Sequence, residues 1–460
     1  MSKLVEEINK NYTIPDVLNE DSYGPIFAYA SNKDLATCPR HIITMTETVN
    51  PVLLQQATEK ALIRYPQMRV GLQKTEGGYK YYFLGKPPVV LPFRNVSLYY
   101  MGSEENNGYL FTVGYNEKTI YMEYQHSISD GHGFDMFIRT VLFEYLVLCG
   151  HDIENDGSIR TNDHLFTLEE CEDAYQKLQE ANPSSEGHYE VKGSFHLPLP
   201  EDEKYAGIEQ VTELTFSYDQ MRKWTKAHGI SPLVFIYTAF CFATYQTYYT
   251  KNDEGTPMVA EIPMDLRQVV PSKTTHFFVS LLDLPFEYDW FSLSFEEACQ
   301  KVKEVFDKQK NPEHSAWWGQ AGSNRVSEGH NTEMDFDDKE DMMRNMARNY
   351  VRRDSFILTN IGSFSIPECM QEYIEDYGAI LPCGYQPMGV LVSSYKGIMK
   401  INVAQREKTP LLTNAFIMEL GKVGVTVDKR TYNIHPTSYD GDHLLSTLDA
   451  KSTVSEKEQQ

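Results

Sequence analysis

The chain has 460 residues, a formal net charge of -23, 41% hydrophobic and 12% aromatic residues. That length exceeds what one hydrophobic core usually supports, so two globular domains are expected. The acidic balance argues against nucleic acid, which needs a basic surface, and against a polybasic membrane anchor.

The N-terminus, Met1 to Glu7, lacks the apolar core of a signal peptide. Seven scattered cysteines without a Cys-x-x-Cys pair signal neither zinc nor a disulfide framework, and fit reduced thiols in a cytoplasmic protein. An apolar, strand-like run covers His41 to Glu47. A helix follows from Pro51 to Tyr65, with Leu53, Leu54, Ala57, Ala61 and Leu62 at helical spacing and Tyr65-Pro66 as its stop. Further strands are predicted at Tyr79–Phe83, Gly108–Val113 and Thr119–Gln125. In the last of these Ile120, Met122, Tyr124 and His126 share one face, because successive side chains alternate. Asp130-Gly131 then makes a turn, and Phe134 to Cys149 reads as an amphipathic helix.

Polar residues with Pro and Gly mark a linker at 181–205, between an N-terminal lobe (1–180) and a C-terminal lobe (206–450); the charged tail 451–460 is expected to fray. The second half opens with a strand at Gln210–Phe216 and a helix at Ser217–His228. The most apolar stretch, Ile230–Tyr249, has Ser231 as N-cap and Pro232 as first helical residue. It reads as a buried core helix and not as a membrane span. A strand at Met258–Pro263, a helix at Ser294–Lys310, strand-like stretches near Ser355–Asn360 and Gly389–Val403, and a helix at Leu411–Val423 complete the half. Trp317-Trp318 reads as core or lid packing. Between Glu333 and Arg353 acids precede Arg344, Arg348, Arg352 and Arg353. Spacing by four aligns the first three arginines on one helix face, either as a solvated helix or as a patch for the phosphates of an acyl carrier. Strands and helices alternate in both halves, which favours α/β or α+β layering.

The chemistry concentrates in His126-Ser-Ile-Ser-Asp130-Gly131-His132. A histidine delivered by a strand end into a turn is a common placement for a general base. A helical metal pair conflicts with the preceding strand and with Gly131. A dinuclear hydrolase pattern fails because Ile128 and Gly131 stand where histidines would be needed.

Five stretches carry a resemblance, in order: Val49–Pro66, Gln125–Gly131, Ile262–Arg267, Leu358–Gly362 with Ile366-Pro367, and Tyr395–Asn402. Together they resemble the coenzyme-A-dependent acyltransferase superfamily, which includes chloramphenicol acetyltransferase, peptide-synthetase condensation domains, plant BAHD enzymes and alcohol acetyltransferases. The resemblance spans about residues 24 to 427. It implies two chloramphenicol-acetyltransferase-like lobes, each a mixed sheet covered by helices, with a channel between them. In it His126 acts as general base, Asp130 pairs with Arg267 instead of joining a triad, and Gly131 permits a tight turn. His132, His276, Asn360 and Gly362 are channel candidates, His132 reading more simply as structural or exposed, and a backbone amide near Gly131 is the candidate oxyanion donor.

The implied co-substrate is acyl-coenzyme A or a carrier-bound acyl thioester, with no bound cofactor or metal. The acceptor is a small alcohol or amine, and the protein is expected to be a monomer. Carriers are acidic, so the acidic chain mildly disfavours an acyl carrier protein as partner. Three departures are visible. Gln125 replaces the first histidine of the condensation signature, the Asp-Phe-Gly-Trp-Gly stretch of the plant enzymes is missing, and Thr274-Thr-His276 replaces an expected asparagine. The alternative is a catalytically idle, condensation-like binding protein, which a broken His126, Asp130 or Arg267 would indicate; all three are present. A metal hydrolase ranks third.

Overall fold

The computed structural model describes residues 21–32, 37–93, 101–184, 191, 193–199, 208–435 and 437. The expected tail at 451–460 lies outside them, as does much of the linker at 181–205. The first half contains α1 (Pro25–Ala30), β1 (Arg40–Met45), α2 (Pro51–Arg64), β2 (Val70–Thr75), β3 (Gly78–Phe83), β4 (Val90–Pro92), β5 (Phe111–Asn116), β6 (Thr119–Tyr124), α3 (Gly131–Leu148) and α4 (Tyr175–Ala181). The second contains β7 (Glu209–Ser217), α5 (Tyr218–His228), α6 (Pro232–Tyr248), β8 (Met258–Asp265), β9 (Val279–Phe286), α7 (Phe295–Gln309), α8 (Pro312–Asn331), α9 (Phe336–Val351), β10 (Phe356–Ser363), α10 (Glu368–Gln371), β11 (Ile374–Ile380), β12 (Met388–Tyr395), β13 (Ile398–Gln405), α11 (Leu411–Lys422) and β14 (Asp428–Ile434).

The strands form a five-stranded sheet in the order β11-β1-β6-β5-β4, a seven-stranded sheet in the order β14-β7-β13-β12-β10-β8-β9, and the separate hairpin β2-β3. Both larger sheets are mixed: β4 and β5 run parallel in the first, and β10 runs parallel to β8 and β12 in the second. The first sheet is not built from the first half alone. β11 comes from the second half and pairs antiparallel with β1, Arg40 opposite Ile380 and Ile43 opposite Tyr377. Strand β9, which sequence reading passed over, tolerates Pro285 because it lies at the edge of its sheet. The stretch read as one strand near Gly389–Val403 is the hairpin β12–β13, broken at Lys396 and Gly397, whose φ angles of 47° and 76° suit a two-residue turn.

Two large cores result. One gathers Leu54, Phe111, Met122, Phe134 and Phe137 around the five-stranded sheet, and also takes Val326 from α8 and Met343 from α9. The other gathers Phe235, Phe240, Ile262, Val390 and Phe416 around the seven-stranded sheet. The apolar helix α6 belongs to this second core, with Val234 to Cys241 buried without interruption. No single described helix is long and apolar enough to cross a membrane. In the charged segment, α9 buries Phe336, Met343 and Ala347, and Arg344 pairs along its own helix with Glu340 and Asp341. The seven cysteines form no disulfide.

The halves also meet closely at the start of α3. Ser129 donates its hydroxyl to the Thr275 carbonyl at 2.7 Å. A Cβ on Gly133 would lie 2.1 Å from that same carbonyl oxygen and 2.6 Å from Ser129 Oγ. At Gly131 a Cβ would find nothing nearer than Tyr124 Oη at 3.9 Å, and its φ is not positive. The expectation that Gly131 is the glycine demanded by a tight turn is therefore corrected: close packing demands Gly133. Gly133→Ala should lower stability by about 1–3 kcal/mol through overpacking, whereas Gly131→Ala should be near neutral. Denaturant unfolding of both variants checks this, and an unaffected Gly133→Ala would contradict the packing.

Candidate active site

Strand β6 ends at Tyr124, and the turn that follows carries His126. Gln125, fully buried, donates its side-chain amide to the Phe27 carbonyl at 2.8 Å, which ties the turn to α1. His126 Nδ1 lies 3.2 Å from the Ser129 carbonyl oxygen. A carbonyl can only accept, so this contact calls for hydrogen on Nδ1 and leaves the lone pair on Nε2. The ring packs against Phe27, Tyr124 and Phe277 at centroid distances of 4.9, 5.1 and 5.7 Å. This enclosure lowers the imidazole pKa to about 4, against the opposing pull of the Ser129 carbonyl and Asp130. His126 is thus neutral near pH 7 and has the form a general base needs.

Asp130 turns its carboxylate away from the imidazole. Oδ1 caps α3 by accepting from the Gly133 amide at 2.9 Å. Oδ2 accepts from Arg267 Nη1 at 2.7 Å and from the Phe278 amide at 2.9 Å. Arg267 spends its remaining donors on the Thr274 carbonyl at 3.0 Å, the His276 carbonyl at 2.8 Å and Asp265 at 3.0 Å. Both charged side chains are almost fully buried, at 2% and 7% exposure. The predicted Asp130–Arg267 pair is therefore present as a hydrogen-bonded joint between the two halves, and the histidine takes its orientation from a backbone carbonyl of the same turn.

His126 opens into a cavity of about 480 Å³ that also reaches Asp130, Gly131 and His132, a size ordinary for small-molecule sites. One wall is a face of the seven-stranded sheet. Alternation brings Glu261, Pro263 and Asp265 of β8, with Val279 and Leu281 of β9, to the same side. Among the described residues no group of three or more His, Cys, Asp or Glu could hold a metal ion.

The other sequence candidates divide. His132 borders the cavity, is 52% exposed and lies 3.8 Å from Asp265. Asn360 also borders it, accepting from the Gly362 amide at 2.9 Å. Gly362 does not border the cavity; with a φ of 75° it shapes the bend at the end of β10. His276 does not border it either. Its ring is buried, its pKa pushed down to about 4 by that burial, and its contribution is the carbonyl that accepts from Arg267. As channel residues, Gly362 and His276 are thus corrected to supports of the surrounding loops.

His41 escaped notice in the sequence. It borders the cavity from β1, hydrogen-bonds the Tyr377 hydroxyl at 2.8 Å, and is held near a pKa of about 3 by burial and then by His126. A histidine inside an apolar strand was the available signal. Only the pairing of His41 opposite Met122 brings it to the face of His126.

No protein-family model and no curated protein matches the chain. Solved structures do. The TRI3 trichothecene 15-O-acetyltransferase from Fusarium sporotrichioides is 11% identical with a TM-score of 0.58, over 88% of this chain and 94% of that one. The condensation domain of the Monacolin K polyketide synthase MokA is 12% identical with a TM-score of 0.55, over 89% and 97%. TRI101 of F. graminearum, solved with coenzyme A and T-2 mycotoxin, is 10% identical with a TM-score of 0.54, over 89% and 99%. The chain has the two-lobed α/β fold shared by condensation domains and coenzyme-A-dependent acetyltransferases.

Proposed function

We propose that the protein is an acyltransferase that moves an acyl group from a thioester to an alcohol or amine, with His126 as general base. One observation carries this reading: the Ser129 carbonyl takes His126 Nδ1, so that the basic Nε2 remains for a substrate in the cavity. In the proposed step the acceptor's proton passes to Nε2 as its oxygen or nitrogen attacks the thioester carbonyl. When the tetrahedral intermediate collapses, the carbon–sulfur bond breaks and the proton passes to the leaving thiolate. First-turn amides of a helix lack intrahelical acceptors, so those at Gly131 and His132 of α3 are the proposed donors to the oxyanion.

Acyl-coenzyme A is the proposed donor. A net charge of -23 suits an acidic carrier protein poorly, and Arg344 of the arginine row is engaged by acids of its own helix. Alcohol acetylation is the proposed form of the reaction, in a cytoplasmic monomer of two lobes.

His126→Ala should slow thiol release from acetyl-coenzyme A, in the presence of an accepted alcohol, by about 10²-fold or more, with unchanged melting; equal rates would remove His126 as base. A base works unprotonated, so activity is lost as pH falls through its pKa. With that pKa near 4, kcat/KM should stay level from neutral pH down to about one unit above it, while an acid limb centred near 6.5 would contradict an enclosed imidazole. Asp130→Asn should leave the buried Arg267 with only the more exposed Asp265 as counter-charge and cost up to about 3–5 kcal/mol in denaturant unfolding. Unchanged stability would contradict the joint.

A further inference from the structure

Glu261 is a buried carboxyl group of the cavity wall that the acyl-transfer step does not use. It is 2% exposed, and its Oε2 is buried with no hydrogen-bond partner among the described residues. β-Sheet register sets it opposite Asp283 of β9, and Asp354 lies just beyond α9. Asp283 Oδ2 and both carboxyl oxygens of Asp354 also lack hydrogen-bond partners among the described residues. The nearby cation is Arg353, which donates to Asp283 Oδ1 at 2.6 Å and lies 3.8 Å from Asp354. Three buried carboxyl groups therefore share one guanidinium. Burial, then Asp283, raises the pKa of Glu261 against the pull of Arg353, and burial raises that of Asp283. Buried carboxylates normally have partners; with one guanidinium among three of them, burial favours the protonated form, and Glu261 holds a proton where a bound cation could stand.

Tyr23, Tyr350 and Arg325 border the same cavity, and Arg353 lies over the Tyr350 ring at 4.5 Å. A net charge of -23 draws cations toward the protein from a distance. We propose that the cavity contains a binding site for an organic ammonium group, with Glu261 giving up its proton to solvent on binding and so becoming its counter-ion. From His126, ring contacts run to Phe277 at 5.7 Å and on to Tyr23 at 5.1 Å. The ammonium is thus a recognition handle set apart from the atom that is acylated. Its use in choosing a substrate rests on the acyl-transfer reading; the binding itself does not.

Calorimetric titration of the full chain at pH 7 with hexylammonium chloride and with 1-hexanol separates the two, because no turnover is needed. The ammonium should bind about ten-fold or more tightly than the alcohol, and should keep that preference at high salt, where surface charge is screened. Glu261→Gln should abolish the preference while leaving hexanol affinity unchanged. Equal or weaker binding of the ammonium by the native chain, or none, overturns the proposal. So does a preference that vanishes in salt or survives Glu261→Gln. If the variant fails to fold, the native chain at high salt decides alone.

Discussion

The carboxylate of Asp130 is the point on which the rest of the site depends. One oxygen caps the helix that follows the histidine turn, and the other accepts from an arginine and an amide of the second half. A single buried group thereby sets where α3 begins and where the seven-stranded sheet meets the first lobe. Arg267 extends the same constraint to the carbonyls of Thr274 and His276. A buried ion pair need not add net stability, but removing one partner is costly, so such a pair specifies an arrangement. Here the arrangement specified is the turn from His126 to Asp130.

The histidine's chemistry follows from that turn. Because Asp130 is fully occupied elsewhere, Ser129 supplies the acceptor that orients the ring, and a carbonyl does so without adding a second charge. Three aromatic rings then strip solvent from the imidazole and favour its neutral form. The turn is held from several directions, by Gln125 toward α1, by Tyr81 to the Ser127 carbonyl and by Ser129 to Thr275. Preorganisation of this kind lets a base act without the cost of reorienting at the moment of reaction. Two further imidazoles, His41 and His276, are neutral as well, yet neither has a place in the proposed step.

Much of this was legible in the amino-acid order. Alternation in β6 and the Asp-Gly pair located the histidine, and the family resemblance implied its joint with Arg267. Local pattern could not reveal long-range pairing. β11 reads as an unremarkable polar stretch until it completes the first sheet, and His41 joins the site only through the register of β1 on β6. Glu261 likewise looks like one charge in a strand; its meaning comes from Asp283 and Asp354, which the register and the end of α9 bring beside it. Gly131 and Gly133 show the same limit, since which glycine is obligatory depends on a carbonyl more than a hundred residues away. The family resemblance points to His276 and Gly362, whereas the cavity is bordered by their neighbours.

The central claim is that the fold holds His126 neutral, with its proton on Nδ1 and its lone pair on Nε2. Nitrogen-15 NMR of the histidine rings, with the His126 signals assigned by their loss in His126→Gln, reads this directly. The account predicts an Nδ1–H tautomer at pH 7 that persists as the pH is lowered toward about 5, consistent with a pKa near 4. An Nε2–H tautomer, or a ring that titrates near 6.5 like a free imidazole, would contradict it.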